Sequence, residues 1–465
     1  MIKVEQMSAD LRLFSGELIW PDNPVYDLIR KPYNPRHSRR PALIARCRGN
    51  RDVVAALSWA WARNLEIAVR STGHSYAGFS STDGVIIDLS LMRGVRVDPL
   101  RRVARILGGT LGGDIQREAS IHGLAAATGA LSTTGAGLFL GGGGGYLRNS
   151  AGWCADNILS ADLVTADGRL VTASTQDNPD LLWAIRGAGA NFGIVTSLEL
   201  QLYPVPPKIA AGSMYWSDRR MEEAIRILRD YRPRASNNLF SLIMPKIDHL
   251  DETGPEVARG QPVVQLLYCH TGDPEQAAKE LGELRRLCAP DHEVRAPTEA
   301  FDELHDWLDP TTARKDMDAY SVTELRDDVI GLLCDMTRRM GWPQARRMFE
   351  VFDHRGRLSE TPSIPSSQPR PLPDSWSLRP QATYHDASSD ASHDAWMDEV
   401  IEALKRTGLG VEDVYLTNMT SRPTSDARVR DSFGANYDRL AELKAIWDPE
   451  NVFHKTLNIP PRLPR

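Results

Sequence analysis

Hydrophobic and polar positions along the chain change period several times, and each change predicts an element. Asn50 can cap a helix over RDVVAALSWAWARN, and LEIAVRS then reads as a buried strand. GVIIDLS reads as another strand, and VRVDPLRRVARILGG as two strands joined by a turn. In LSADLVTADGRLVTAS two alternating runs flank Asp167-Gly168, the dipeptide that supplies positive φ in a tight turn, so a hairpin is predicted. Helix, strand and hairpin alternate here, which predicts an α+β arrangement rather than a run of βαβ units.

A second region begins near Pro204-Val205-Pro206-Pro207. RRMEEAIRILRDY has helical spacing, with Met221, Ala224, Ile225 and Leu228 on one face, and VVQLLYCH reads as a strand. Asp273-Pro274 opens a helix over EQAAKELGELRRLCA by the cap-then-proline order. The stretch from Glu360 to Asp394 is crowded with Pro, Ser and Asp and reads as a long loop or insertion with some mobility. AWMDEVIEALKRTG is then a helix ending at Gly408, VEDVYLTNMTS a strand candidate, and YDRLAELKAIWDPENVF the last helix. No internal repeat is visible.

Composition narrows the function classes. Lys and Arg total 55 and Asp and Glu 61 in 465 residues, a formal charge of −6, which argues against a dedicated nucleic-acid binder. Hydrophobic residues at 42% and charged residues at 25% fit a soluble globular chain rather than a disordered one. The five cysteines are scattered and form no CxxC pair, so neither a disulfide scaffold nor a metal site is expected. Apolar runs fall far short of the ~18 residues of a membrane span, and MIKVEQMSADLRLF lacks a basic-then-apolar leader layout. The expectation is a cytoplasmic protein with no membrane partner.

Three glycine-rich segments carry candidate chemistry. Arg70-Ser71-Thr72-Gly73-His74-Ser75-Tyr76-Ala77-Gly78 follows a predicted strand, and its backbone N–H groups can converge on an anion. An ordinary turn with a solvent-facing His74 fits that piece equally well. A serine-hydrolase elbow is disfavoured, because GFSSTDGVIIDLS follows as loop and strand where the elbow needs a helix. The second segment runs from Thr128 to Gly137 and continues through LFL into the glycines 141–145. Five successive glycines cost about 1 kcal/mol each relative to alanine in regular structure, a cost that makes sense where a bulky ligand lies against bare backbone. The third, Gly187 to Val195, has GxGxxxG spacing and precedes a strand, so it is not a Rossmann fingerprint. Three such segments at strand ends point to one extended ligand with phosphates.

Taken together, RSTGHSYAG, TGALSTTGAGLFLGGGGG, ADNILSADLVTADG, RGAGANFGIVT and YDRLAELKAIWDPENVFHKTLNIPP occur in an order that resembles the FAD-linked oxidases of the vanillyl-alcohol-oxidase superfamily, in the branch of berberine bridge enzyme and 6-hydroxynicotine oxidase. The resemblance implies an α+β fold: a two-lobed FAD-binding domain of the PCMH type with an inserted α/β substrate domain, an antiparallel sheet covered by helices. The implied division is 1–205 for the FAD domain, 206–410 for the substrate domain and 411–465 for a segment returning to the FAD domain.

The resemblance also implies residue roles. His74 matches the histidine that bonds covalently to the flavin ring, and Leu131 stands where many relatives carry a second, cysteinyl tether, so a single histidyl link is expected. Arg70, Ser71, Thr72, Gly73, Ser75 and Gly78 would wrap the pyrophosphate. Thr128, Gly129, Ser132, Gly135, Gly137, Gly141, Gly142 and Gly145 would lie along the ribityl chain and ring. Gly193 and Val195 would contact the adenine half, and Asn458 would approach the ring from the C-terminal segment. Asn418 takes the place of the branch's catalytic tyrosine, with Tyr415 nearby, and no strong general base is evident. The implied function is an oxidase that moves a hydride from a C–H bond of a natural-product-like amine or alcohol to FAD, with dioxygen as the acceptor. The alternative is a flavoprotein cyclase of secondary metabolism with no net oxidation. A small molecule and dioxygen are the expected partners, and a homodimer is left open.

Overall fold

Three sheets organise the chain, each made from a contiguous stretch of sequence. The computed structural model describes residues 11–250, 255–307, 313–341, 344–411, 422 and 424–462. The first sheet has the order Glu17–Ile19, Leu43–Arg46, Val85–Asp88, Ile67–Arg70, with its last three strands parallel. Helix Asn50–Trp61 connects two of these and makes one βαβ crossover, a unit the sequence reading did not expect. Parallel strands are covered on both faces and therefore read as continuous apolar runs. Here Val53, Ala56 and Leu57 of the helix cover one face, and Ile19 and Tyr26 pack on the other.

The second sheet is antiparallel, in the order Val95–Asp98, Val103–Leu107, Ile194–Pro204, Ile158–Val164, Leu170–Ala173, with Leu124–Ala126 also on Ile194–Pro204. The predicted hairpin is present, with Gly168 at φ 77° in its turn. Helices Pro179–Ala188 and Tyr437–Trp447 share this sheet's core, so the C-terminal part of the chain returns to the glycine-rich region.

Among the described residues the third sheet has nine strands, all from residues 210–411 and all antiparallel. Its core also holds side chains of helices Met221–Tyr231, Pro274–Leu287, Asp327–Arg338 and Asp390–Lys405. Asp273 caps the second of these by accepting from the Glu275 and Gln276 amides, the cap predicted from Asp-Pro. The opposite face presents Phe240, Met244 and Met348 toward Tyr146 and Leu147 of the glycine-rich region.

Two expectations are corrected. The Glu360–Asp394 stretch is not one loop: Trp376–Tyr384 is a strand buried at every position, paired along its length with Ala345–Asp353. Its sequence reads as loop because Pro380 and alternating polar residues interrupt the apolar pattern, yet neighbours cover both of its faces. The last helix stops at Trp447 rather than running to Phe453. Asp448 ends it, accepting from the Val452 and Phe453 amides at 2.8 and 2.9 Å.

That same carboxylate holds a buried cation. Lys444 Nζ donates to Asp448 Oδ2 at 2.6 Å, to the Asn191 carbonyl at 2.7 Å and to the Phe453 carbonyl at 3.1 Å. Both side chains are fully buried. Removing one partner of such a pair leaves an uncompensated charge. Asp448→Ala is therefore expected to lower the unfolding free energy by about 3–5 kcal/mol, read from the urea midpoint.

Acid should destabilise the fold through two other buried groups. Burial pushes His305 down to about 4, and pushes His354 down to about 3 with help from the Arg148 and Arg379 charges. A histidine whose folded value lies below its ordinary 6.5 binds more protons when unfolded. Stability is therefore complete above about pH 6.5 and falls by up to about 3 kcal/mol per histidine on descending to about pH 4. Urea titrations across that range measure the slope, and a flat profile would refute it.

Candidate active site

Strand Ile67–Arg70 ends in the turn that carries His74, and the turn is anchored from below. The Arg70 guanidinium donates to the carbonyls of Ile29 at 2.6 Å and Arg30 at 3.0 Å. Gly73 takes φ 78°, which lets the chain reverse above that anchor. Ser71 then stitches two glycine-rich segments together: its Oγ donates to the Gly108 carbonyl at 2.6 Å and accepts from the Ala136 amide at 3.2 Å. A Cβ on Gly135 would lie 2.3 Å from Thr72 Cγ2, and one on Gly145 would lie 2.2 Å from the Thr128 carbonyl oxygen. The Thr72 side chain of the first segment thus lies directly on Gly135 of the second, and the second folds back on its own backbone at Gly145.

These segments wall a cavity of about 1210 Å³. Ser71, Thr72, Gly73, His74 and Ser75 line it, as do Gly129, Gly135, Gly137, Gly141 and Gly145, and so do Gly193 and Val195. Leu131 lines it too, at the position expected to lack a second tether. Other expected residues act one layer back. Arg70 anchors the turn, and Gly78 packs against His37. Thr128 accepts from Gln116 Nε2 at 2.8 Å, the Ser132 amide donates to the His305 carbonyl, and Gly142, at φ 100°, lies against Gln368. Asn458 follows the lining residue Leu457, and its Oδ1 is buried without a hydrogen-bond partner among the described residues. Tyr415 and Asn418 lie outside the described residues.

The two sides of the cavity differ in chemistry. On the glycine side His74 stacks on Tyr33, with ring centroids 3.8 Å apart and planes at 17°. Its Nε2 is buried and has no hydrogen-bond partner among the described residues. Burial pushes the imidazole down to about 4, and the Lys315 charge adds to the effect, so the ring is neutral near pH 7 and keeps a lone pair. Asn34 places that lysine through two backbone bonds, donating to the Lys315 carbonyl at 3.0 Å and accepting from its amide at 3.1 Å. The Lys315 ammonium lies 5.1 Å from the Tyr33 ring centroid.

On the other side, strand Ala345–Asp353 sends Arg346, Met348, Glu350 and Phe352 to one face by simple alternation. All four line the cavity. Glu350 stands opposite Arg379 in the register, with Oε2 at 3.8 Å from its Nη1. Burial raises the Glu350 carboxyl above its ordinary range, opposed first by Arg379 and then by other nearby cations. The sequence reading missed this group. The only signal for it was the i, i+2 alternation of Arg346, Met348, Glu350 and Phe352, which says nothing about what lies across from them.

An FAD-sized ligand suits this arrangement. One wall is largely glycine-rich backbone, the cavity also reaches the large sheet, and a neutral imidazole with a buried, unmet hydrogen-bonding atom stands inside it. Gly137 and Gly145 test the fit in opposite ways. Gly137 lines the cavity and a Cβ there meets nothing within 4 Å, so Gly137→Val should fold normally but lose flavin occupancy. Gly145→Ala forces backbone apart and should lose both flavin and stability, the latter by about 1–3 kcal/mol. Flavin-to-protein absorbance ratios and thermal melts read the contrast.

This fold, with its glycine-walled cavity between a two-lobed domain and a helix-backed antiparallel sheet, defines a PCMH-type flavoprotein. Residues 41–174 match the FAD binding domain family, and residues 412–460 match the family described as berberine and berberine like. The chain belongs to the FAD-linked oxidases of the berberine-bridge-enzyme-like family, within the vanillyl-alcohol-oxidase superfamily. It is 32% identical over 466 residues to (R)-6-hydroxynicotine oxidase of Paenarthrobacter nicotinovorans, covering 96% of this chain and 97% of that one. The crystal structure of 6-hydroxy-D-nicotine oxidase from Arthrobacter nicotinovorans matches with a TM-score of 0.87 at 28% identity, over 98% of this chain and 100% of that one. Glucooligosaccharide oxidase from Acremonium strictum shares the fold, with a TM-score of 0.82 at 20% identity over 97% of this chain and 98% of that one. Among the described residues no helix is long and apolar enough to cross a membrane.

Proposed function

We propose that this protein is an oxidase of a small organic amine or alcohol, with its FAD held covalently through His74 alone and dioxygen as the electron acceptor. Bound FAD supplies a two-electron acceptor for the hydride of a substrate C–H bond and a route for those electrons to dioxygen, yielding hydrogen peroxide. The observation that carries the reading is the pairing of His74 on the glycine wall with Glu350 on the sheet across one cavity.

Each residue has a defined task in this reading. The neutral His74 imidazole offers a ring nitrogen lone pair for the covalent bond, and Tyr33 holds the ring plane by stacking. The glucooligosaccharide oxidase of Acremonium strictum carries an FAD that is both cysteinyl- and histidyl-linked. Here Leu131 offers no thiol, and Cys154 is a core residue absent from the cavity lining. Ser71, Thr72, Gly73 and Ser75 offer the pyrophosphate a turn of backbone N–H groups. Glu350 accepts the O–H or N–H proton of the substrate as its neighbouring C–H bond is oxidised, and Arg379 steadies the carboxylate beforehand. Phe240, Met244, Met348 and Phe352 keep water from the substrate's apolar body. Asn418 and Tyr415 are proposed to complete the site from the C-terminal segment.

Anaerobic stopped-flow mixing with amines, alcohols and aglycones tests the reading by bleaching of the oxidised flavin band. Failure of every organic substrate to bleach it would sink the oxidase assignment. A product lighter by two hydrogens supports the oxidation, whereas an isomeric product would support a cyclase.

A further inference from the structure

The short helix Arg148–Ala151 follows the glycine run and faces the large sheet. The Arg148 amide donates to the Gly145 carbonyl at 3.1 Å, which fixes the residue to the glycine wall. Its side chain crosses to the sheet. There Nη2 donates to the Asp353 carbonyl at 2.6 Å, and the guanidinium carbon stands 3.9 Å from the centroid of the Phe352 ring. Arg379 brings a second guanidinium to the same ring, at 4.2 Å. All three side chains line the cavity, and all three are buried.

Strand register explains why they meet. Glu350 and Arg379 stand directly opposite each other, and Phe352 lies two residues beyond Glu350 on the same face, so it is the diagonal neighbour of Arg379. Glu350 Oε2 and Arg379 Nη1 are 3.8 Å apart, an ion pair beyond hydrogen-bond length. The pairing therefore depends on what holds the plane of the Arg379 guanidinium. An aromatic face does so by stacking and by cation–π attraction, which strengthens where water is excluded. Other groups act on the same carboxyl. Among the described residues Glu350 feels the charges of Arg379, Arg346, Arg148 and Lys315, in that order, and Tyr76 of the His74 turn also faces it.

We propose that Arg148 is a positioning residue for Glu350: anchored on the glycine wall, it fixes the Phe352 ring, and the ring fixes the Arg379 guanidinium beside the carboxylate. One side chain thereby aligns the wall assigned to the flavin with the group assigned to the substrate proton. Charge alone does not substitute for it, because an ammonium lacks the flat face that stacks on the ring. The proposal rests on the oxidase reading for the work that Glu350 does, while the alignment of Arg148, Phe352 and Arg379 is independent of it.

The test titrates the NMR signal of the isotope-labelled Glu350 carboxyl, assigned by its loss in Glu350→Gln, in the holoenzyme and two variants. Arg148→Gln keeps a donor for the Asp353 carbonyl and removes the cation. Its Glu350 midpoint should rise by roughly half a pH unit or more, because a lost cation and a loosened Arg379 both disfavour the carboxylate. Arg148→Lys keeps the charge and removes the flat face, and it should still show a substantial part of that rise. A lysine variant that titrates like the wild type would show that charge alone matters and overturns the positioning role. So does a glutamine variant with a lowered melting temperature and an unmoved midpoint. Should the glutamine variant fail to fold, the lysine variant decides alone. The acid limb of kcat/KM should move with the NMR midpoint. If Glu350→Gln keeps that limb, the assignment of Glu350 as proton acceptor falls, while the NMR titration still decides the role of Arg148.

Discussion

Glu350→Gln should slow flavin reduction by roughly 10²- to 10⁴-fold while the protein keeps its flavin and its melting temperature. Glutamine preserves the shape of the side chain and a polar contact to Arg379, so the variant removes proton acceptance and little else. The wild-type pH profile carries the same information. Activity requires the ionised carboxylate, and burial raises that group above its ordinary 4.5. The value of kcat/KM should therefore fall as pH falls, with a midpoint above 4.5, and the glutamine variant should lack this acid limb. A variant slowed less than about fivefold, or one that keeps the limb, would assign proton acceptance elsewhere.

His74→Ala should convert a protein that stays yellow after acid precipitation into one that releases all of its flavin. The measurement is absorbance of pellet and supernatant. Free flavin from the denatured wild-type protein would count against the tether. The physical basis is the state of the imidazole. Bond formation needs a nitrogen lone pair, and a ring held neutral down to about 4 has one throughout the physiological range. Tyr33 at 3.8 Å fixes its plane, and Lys315 opposes its protonation. Loss of the side chain also leaves Tyr33 without its stacking partner, so noncovalent occupancy should weaken in the same variant.

Much of this protein was legible in one dimension. The hairpin at Asp167-Gly168, the helix opened by Asp273-Pro274 and the strand over VVQLLYCH follow from backbone rules that act within a few residues. The glycine segments were legible for the same reason: bare backbone is needed where chains approach within van der Waals contact, and only glycine permits it. Gly135 and Gly145, each with neighbouring atoms closer than 2.5 Å to a built Cβ, show that need directly.

What the chain pattern could not reveal was decided by pairing at long range. Glu350 in its alternating strand looks like any solvent-facing acid until Trp376–Tyr384 sets Arg379 beside it and the glycine-rich lobes close over the sheet. Trp376–Tyr384 itself, with its proline and polar residues, becomes a buried strand only because it has neighbours on both edges. Lys444 and Asp448 read as exposed helix-end charges, yet the carbonyls of Asn191 and Phe453 enclose them. In each case the sequence determined a residue's local conformation. Burial and charge state depend on which distant segments exclude water from it, so only the tertiary structure decided whether that residue became scaffold or chemistry.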